Sequence, residues 1–116
     1  MNKDEVIKAL SALAHPKRLD VFRLLVVAGS EGTTPGVLME QLQVPSATMS
    51  LYLKELTAAG LVTQERAGRN VIYRAVYESM DGVVAFLTEN CCKGLAKSKK
   101  PETADAWGCS APGRKD

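Results

Sequence analysis

The feature that most constrains this chain is a series of short elements that begins at residue 35. A short helix is predicted over Pro35–Leu42, and Gln43-Val44-Pro45 then forms a turn, because a proline disfavours helical backbone in the residue before it. Ser46 is a suitable N-cap for a second helix that runs to about Ala59. Gly60 follows as the glycine that ends it.

Two segments of alternating polarity come next. Residues 61–66 and 71–76 alternate in the way strands do, and Ala67-Gly68-Arg69-Asn70 between them predicts a hairpin turn. Helix, turn, helix and charged hairpin occur in the order of a winged helix-turn-helix, whose second helix enters the major groove of DNA. The expected fold is therefore mainly α with a small β-hairpin, about five helices plus a two-stranded wing.

Three further helices are predicted around this unit. They cover Met1–Leu13, Pro16 to about Ala28 and Tyr77 to about Cys92, each with apolar residues at helical spacing. The second is apolar around most of its surface, which indicates a central core helix. Within the helix that follows Pro45, the buried side is assigned to Leu51, Leu53 and Leu56.

The exposed polar residues of this unit are candidates for DNA contact, since hydroxyl groups and cations bind phosphates and base edges. They are Ser46, Thr48, Ser50, Tyr52 and Lys54 on the second helix, and Arg66, Arg69 and Arg74 on the wing. Two alternatives stay open. These residues can be an ordinary solvated surface, and some winged helices bind proteins instead of DNA.

Bulk properties set the class of protein. The chain has 116 residues with a net charge of +2, so DNA binding needs local clustering of cations. We expect a winged-helix DNA-binding and dimerisation domain at 1–93 and a flexible tail at 94–116. No apolar run reaches the ~20 residues of a membrane span and no signal peptide is apparent, which predicts a cytoplasmic protein. The sequence has neither a phosphate-binding glycine loop nor paired catalytic groups, so we do not expect an enzyme.

Three cysteines stand at one end of the chain: Cys91, Cys92 and Cys109. Three sulfurs without a nearby histidine favour a soft, three-coordinate ion such as trivalent arsenic, because soft thiolates select soft ions and zinc prefers four ligands. His15 is the only histidine, and we expect it to cap or pack. The cysteines can instead serve as a reversible redox switch, or be incidental.

Two segments carry a family resemblance. "LSALAHPKRLDVFRLLV" (Leu10–Val26) and "PSATMSLYLKELTAAGLVTQERAGRNVIYRA" (Pro45–Ala75) resemble the ArsR/SmtB family of winged-helix metal-responsive repressors. The resemblance implies a homodimer, built on the first and last helices, that binds an inverted-repeat operator in double-stranded DNA. The residues assigned to the dimer interface are Val6, Ile7, Leu10, Met80, Val83, Val84 and Leu87.

The chain also departs from the family pattern. Tyr52 stands where many members have histidine, the helix before the turn has no thiol, and the last helix has no histidine. Some arsenic-responsive members resemble this chain in a Cys-Cys pair at the end of the last helix and a third cysteine in the tail. The resemblance thus implies a repressor that As(III), or also Sb(III), releases by binding Cys91, Cys92 and Cys109, with no cofactor required.

Overall fold

The computed structural model of the chain describes residues 1–95. Within them lie five α-helices and a two-stranded antiparallel sheet, as the sequence predicted, and one short 3₁₀ helix that was not predicted. In chain order the elements are α1 (Lys3–Leu13), α2 (Pro16–Ala28), a 3₁₀ turn (Gly29–Glu31), α3 (Pro35–Leu42), α4 (Ser46–Ala58), β1 (Val62–Ala67), β2 (Asn70–Ala75) and α5 (Tyr77–Leu87). Helices α3 and α4 form the helix-turn-helix, and the hairpin β1–β2 is the wing.

Local capping explains where the first two helices begin. Asn2 and Glu5 form a capping box, in which the Asn2 side chain accepts from the Glu5 N–H at 2.8 Å and the Glu5 carboxylate accepts from the Asn2 N–H at 2.9 Å. His15 caps α2, because its Nδ1 accepts from the N–H groups of Lys17 and Arg18 at 3.1 and 3.3 Å. The capping role expected for His15 is confirmed.

Helix α2 is the central helix of the core, as predicted. It contacts α1, α3, α4 and β2, and its Val21, Phe22 and Leu25 are buried. The other α-helices, both strands and two connecting segments complete the core with Val6, Ala9, Ala12, Leu38, Val44, Met49, Leu53, Leu56, Leu61, Val62, Ala75 and Val83. Burial of this apolar surface is the main source of stability of the domain.

The turn between α3 and α4 is fixed by backbone geometry and by one buried side chain. Gln43 takes a left-handed conformation (φ 56°), which ends α3, and its side-chain amide donates to the Glu40 carbonyl at 2.9 Å. The Lys17 ammonium donates to the Leu42 carbonyl at 3.3 Å, so α2 also holds the end of α3. Val44 is buried in the core, and this anchors the turn.

The wing is tied to the loop that follows α2. Its register pairs Val62 with Ala75 and Ala67 with Asn70. Thr33 forms an isolated bridge with Tyr73, with N–H···O distances of 3.0 and 2.8 Å in the two directions. The base of the wing is therefore held by the core and by this loop.

Three sequence-based expectations require correction. Helix α5 ends at Leu87 instead of about Cys92. Pro45 is the N-cap of α4, without a side-chain hydrogen bond, so Ser46 is the first helical residue instead of the cap. Leu51 does not lie on the buried side of α4, since 60% of its surface is exposed; Met49 takes that place.

The chain divides into two units after Phe86. The expected boundary between a domain at 1–93 and a tail at 94–116 stays a prediction, since residues 96–116 lie outside the described part of the chain. No helix within residues 1–95 is long and apolar enough to cross a membrane.

Candidate functional site

One face of α4 is turned to solvent over the length of the helix. Met49, Leu53 and Leu56 bury the opposite face against the core. Because successive residues are about 100° apart on a helix, this burial leaves a continuous outward stripe. The exposed residues of α4 are Ser46, Ala47, Ser50, Leu51, Lys54, Glu55 and Ala58. Three of the five residues predicted to contact DNA from this helix, Ser46, Ser50 and Lys54, lie on the stripe.

The other two, Thr48 and Tyr52, are half-buried. Tyr52 packs against the core, and its ring centroid lies 5.0 Å from that of His15. The expectation that both are exposed is therefore corrected. The helix is rotated so that Tyr52 faces the start of α2. Leu51 takes the outward position beside it.

A cleft of about 320 Å³ separates α4 from the wing. Ser50, Lys54 and Thr57 line its helix side, and Gln64 and Tyr73 line its wing side. Gln64 and Tyr73 are a cross-strand pair in the register of the hairpin. Neither residue is among the site residues predicted from the sequence. The register of the hairpin could have indicated them, because residues paired across two strands have side chains on the same face of the hairpin.

The arginines of the wing differ in their surroundings. Arg66 and Arg69 are exposed on the hairpin. Arg74 is held instead, because its guanidinium donates to the Glu65 carboxylate at 2.6 Å and to the Ser30 carbonyl at 2.8 Å. Lys54, Arg66 and Arg69 are thus the cations that this surface can offer to phosphates, while Arg74 braces the wing.

The residues assigned to a dimer interface also separate into groups. Val6 and Val83, each 3% exposed, are buried in the core of the protomer itself, so little of either side chain is left for a contact with a second chain. Met80 is half-buried against that core. Of the assigned residues, Ile7, Leu10, Val84 and Leu87 remain exposed on α1 and α5.

Cys91 and Cys92 lie beyond the end of α5 in a turn. The Cys91 N–H donates to the Thr88 carbonyl at 2.9 Å, and Asn90 and Cys92 have positive φ angles of 61° and 67°. Both residues are exposed, and their Sγ atoms are 2.9 Å apart. On a continuous helix adjacent side chains point about 100° apart, so the turn is what brings the two sulfurs together.

The third predicted ligand, Cys109, lies outside the described residues. Among residues 1–95, no three histidine, cysteine or acidic side chains come together in a group that could hold a metal ion. The structure thus brings two of the three proposed sulfur ligands together, and a site with three sulfurs stays a prediction.

Comparison with known proteins places this architecture. Residues 13–65 match the model of a helix-turn-helix domain family. The transcriptional repressor SmtB of Mycobacterium tuberculosis is 41% identical over 71 residues, which cover 61% of this chain and 50% of SmtB. The chain therefore spans about half the length of that relative.

Solved structures agree with this match. The transcriptional repressor BigR of Xylella fastidiosa is 31% identical with a TM-score of 0.57, over 76% of this chain and 88% of BigR. An ArsR-like transcriptional regulator from a Rhodococcus species is 25% identical with a TM-score of 0.65, over 72% of this chain and 76% of its own. These relatives are regulators of transcription, which fits the expectation that the chain is not an enzyme. The chain belongs to the ArsR/SmtB family of winged-helix transcriptional regulators.

Proposed function

We propose that this chain is a repressor that binds operator DNA as a homodimer and leaves it when trivalent arsenic binds Cys91, Cys92 and Cys109. The observation that carries DNA binding is the outward stripe of α4 beside the wing. Ser46, Ser50 and Lys54 offer hydrogen-bond donors there, and Arg66 and Arg69 add cations on the hairpin. Such groups fix a protein on the phosphate backbone, while the helix reads the major groove.

The dimer follows from apolar surface that one protomer leaves exposed. Ile7 and Leu10 on α1, with Val84 on α5, are 53%, 41% and 53% exposed. A second copy of the chain, packed through the same helices, buries this surface and places two α4 helices for two half-sites. An inverted-repeat operator has the matching twofold symmetry. The family relatives SmtB and BigR are both named repressors, which favours repression as the outcome of binding.

The effector is inferred from the sulfurs. Cys91 and Cys92 present two Sγ atoms 2.9 Å apart on an exposed turn, and Cys109 is the third sulfur of the chain. Arsenous acid condenses with three thiols, so that three As–S bonds form, three As–O bonds break and three water molecules leave. Thiolates select soft ions, and antimony(III) follows the same chemistry. No further cofactor is needed.

Release has to come from geometry in this proposal. Condensation with three neutral thiols leaves a neutral centre, so the charge that faces DNA does not change. We infer that arsenic binding favours a dimer arrangement whose spacing no longer fits two half-sites. Identical dimer dimensions in small-angle scattering with and without arsenite would contradict this mechanism.

The test uses the reduced, full-length protein and a fluorescent duplex from upstream of its own gene. We expect saturable binding in fluorescence anisotropy, and release by arsenite in the wild type. Cys109→Ser should bind the duplex equally well but need far more arsenite for release. Ser110→Ala, a neighbouring change that leaves all three thiols, is the matched control. Two results would contradict the three-sulfur site. One is that Cys109→Ser fails to bind the duplex in the absence of arsenite. The other is that the arsenite concentration that releases the wild-type protein also fully releases Cys109→Ser.

Trp107 gives an independent signal, because it is the only tryptophan and lies two residues before Cys109 in sequence. We expect its fluorescence to change on arsenite addition and to saturate at one equivalent per chain. Cys109→Ser should weaken or abolish that change. An unchanged signal in the wild type, together with unchanged DNA binding, would remove arsenite as the effector.

The short distance between the sulfurs also favours a second candidate, a thiol redox switch. Peroxide would oxidise two thiols to a disulfide, with two electrons and two protons passing to the peroxide to give two water molecules. Release of DNA by peroxide, reversed by dithiothreitol and unaffected by arsenite, would favour this switch. Absence of DNA binding by the reduced protein would favour instead a winged helix that binds a protein.

A further inference from the structure

Leu51 occupies a position on α4 that core packing does not explain. Its side chain is 60% exposed, although Met49 and Leu53, two positions before and after it, are 1% and 2% exposed. It lies on the outward stripe of the helix, one residue after Ser50 and three before Lys54. A single exposed leucine is ordinary on a protein surface, so its neighbours decide whether it has a role.

Those neighbours make a small apolar ridge within a polar stripe. Ala47 precedes Leu51 by four residues, so their side chains lie one above the other on the same face, and both are exposed. Ser46, Ser50 and Lys54 share the stripe and carry hydrogen-bonding groups. The ridge therefore lies inside the surface proposed to enter the major groove, beside groups that can bind phosphates and base edges.

The chemistry of the major groove selects one occupant for this ridge. Thymine alone presents a methyl group there, whereas cytosine presents an amino donor and guanine two acceptors. A leucine side chain can neither donate nor accept, so it would leave the polar edge of a guanine or a cytosine without a partner. An alanine beside it can pack on the same methyl group.

We propose that Leu51, supported by Ala47, is a specificity-determining residue that packs on a thymine methyl group in each half-site of the operator. This inference rests on the proposed DNA binding and deepens it, because it names the base that one position of the recognition helix selects. The partner is double-stranded DNA with a thymine at a fixed place in each half-site.

The experiment removes single methyl groups from the DNA. Duplexes are first selected from a random library with the reduced, full-length wild-type protein. Each thymine of the selected duplex is then replaced in turn by uracil, which differs from thymine only by the methyl group. Affinity is measured by fluorescence anisotropy at one salt concentration, since affinity for DNA depends strongly on salt.

We expect one position per half-site at which uracil weakens wild-type binding about fourfold, the effect of burying one group the size of a CH₂. Leu51→Ala should bind the thymine duplex more weakly and should lose the difference between thymine and uracil at that position only. Leu51→Gln has a side chain that reaches at least as far as leucine but ends in a polar amide, and should lose the same difference. Val27→Ala on α2, where Val27 is 81% exposed, is the control and should keep it.

Each result has a separate meaning. A wild-type protein that enriches no duplex overturns the proposed function and this inference with it. Enrichment of a duplex whose thymines can all be replaced by uracil without effect overturns the inference alone. Methyl sensitivity that persists in both Leu51→Ala and Leu51→Gln also overturns it, because another residue then reads the methyl group.

Discussion

Replacing Gly32 with alanine is expected to destabilise the protein by separating the wing from the loop that supports it. A Cβ atom on Gly32 would lie 2.5 Å from the Tyr73 carbonyl oxygen and 2.8 Å from side-chain carbons of Ile72 and Arg74. A contact with a backbone oxygen at this distance cannot be relieved by a rotamer change, so the strand has to move. That movement breaks the two hydrogen bonds between Thr33 and Tyr73.

Gly29 provides a matched control in the same loop. Its backbone angles, φ 71° and ψ −151°, are close to the 68° and −167° of Gly32. Both are in a region that costs other residues about 1–3 kcal/mol. A Cβ on Gly29 meets nothing within 4 Å, so Gly29→Ala carries the backbone cost alone. Gly32→Ala adds the loss of two hydrogen bonds at about 0.5–1.5 kcal/mol each, and should therefore be about 1–3 kcal/mol less stable than Gly29→Ala.

Urea unfolding of the reduced protein measures this difference. All variants should be compared at one protein concentration, because the stability of an oligomer depends on concentration. Operator affinity gives a second readout, and we expect Gly32→Ala to lose more of it than Gly29→Ala, since only the former displaces the wing. Equal losses of stability in the two variants would show that backbone strain accounts for the effect and would refute the contact argument.

The remaining predictions concern a cap, the core and the wing. His15→Ala should cost about 1 kcal/mol of unfolding free energy, as expected for a lost N-cap, and His15→Asn should recover part of it; equal urea midpoints for the two variants would contradict this. Leu56→Ala should cost about 2–5 kcal/mol because Leu56 is fully buried, whereas Leu51→Ala should stay within about 0.5 kcal/mol of the wild type. Arg69→Ala should weaken operator binding and reduce the slope of log K against log salt by about 1 for each protomer of the dimer; an unchanged slope would remove Arg69 from the phosphate contacts.

The sequence predicts helix boundaries well where proline and glycine mark them. The bounds of α2 and α3 are those expected, because Pro16 and Pro35 start these helices and Gly29 ends the first. The end of α5 was placed five residues too late. No proline or glycine stands between Leu87 and Cys92. Asn90, which has a left-handed conformation, is a weaker stop signal than glycine.

The sequence predicts that α4 and the wing together form the candidate DNA-binding surface, but it does not predict correctly which residues of α4 are exposed. Leu51, Tyr52 and Leu53 are consecutive, and each has a large apolar side chain or ring. Periodicity alone therefore does not determine which of them faces the core. Packing fixes it: Leu53 enters the core and Tyr52 meets His15, which leaves Leu51 outside. The rotation depends on contacts with α2, which is distant in sequence, and local pattern does not contain that information.

Thermodynamic linkage between arsenite binding and DNA binding provides a test of the whole proposed switch. If arsenite lowers the affinity for operator DNA by some factor, then operator DNA must lower the affinity for arsenite by the same factor, and a tenfold effect corresponds to about 1.4 kcal/mol of coupling. The neutral centre supplies no charge repulsion, so this coupling has to arise from two protein arrangements that the two ligands prefer differently. Arsenite titrations followed by Trp107 fluorescence, with and without saturating operator DNA, measure directly how much the DNA lowers the affinity for arsenite. Equal arsenite affinities in the two titrations would mean that any release by arsenite reflects damage to the protein and not a switch.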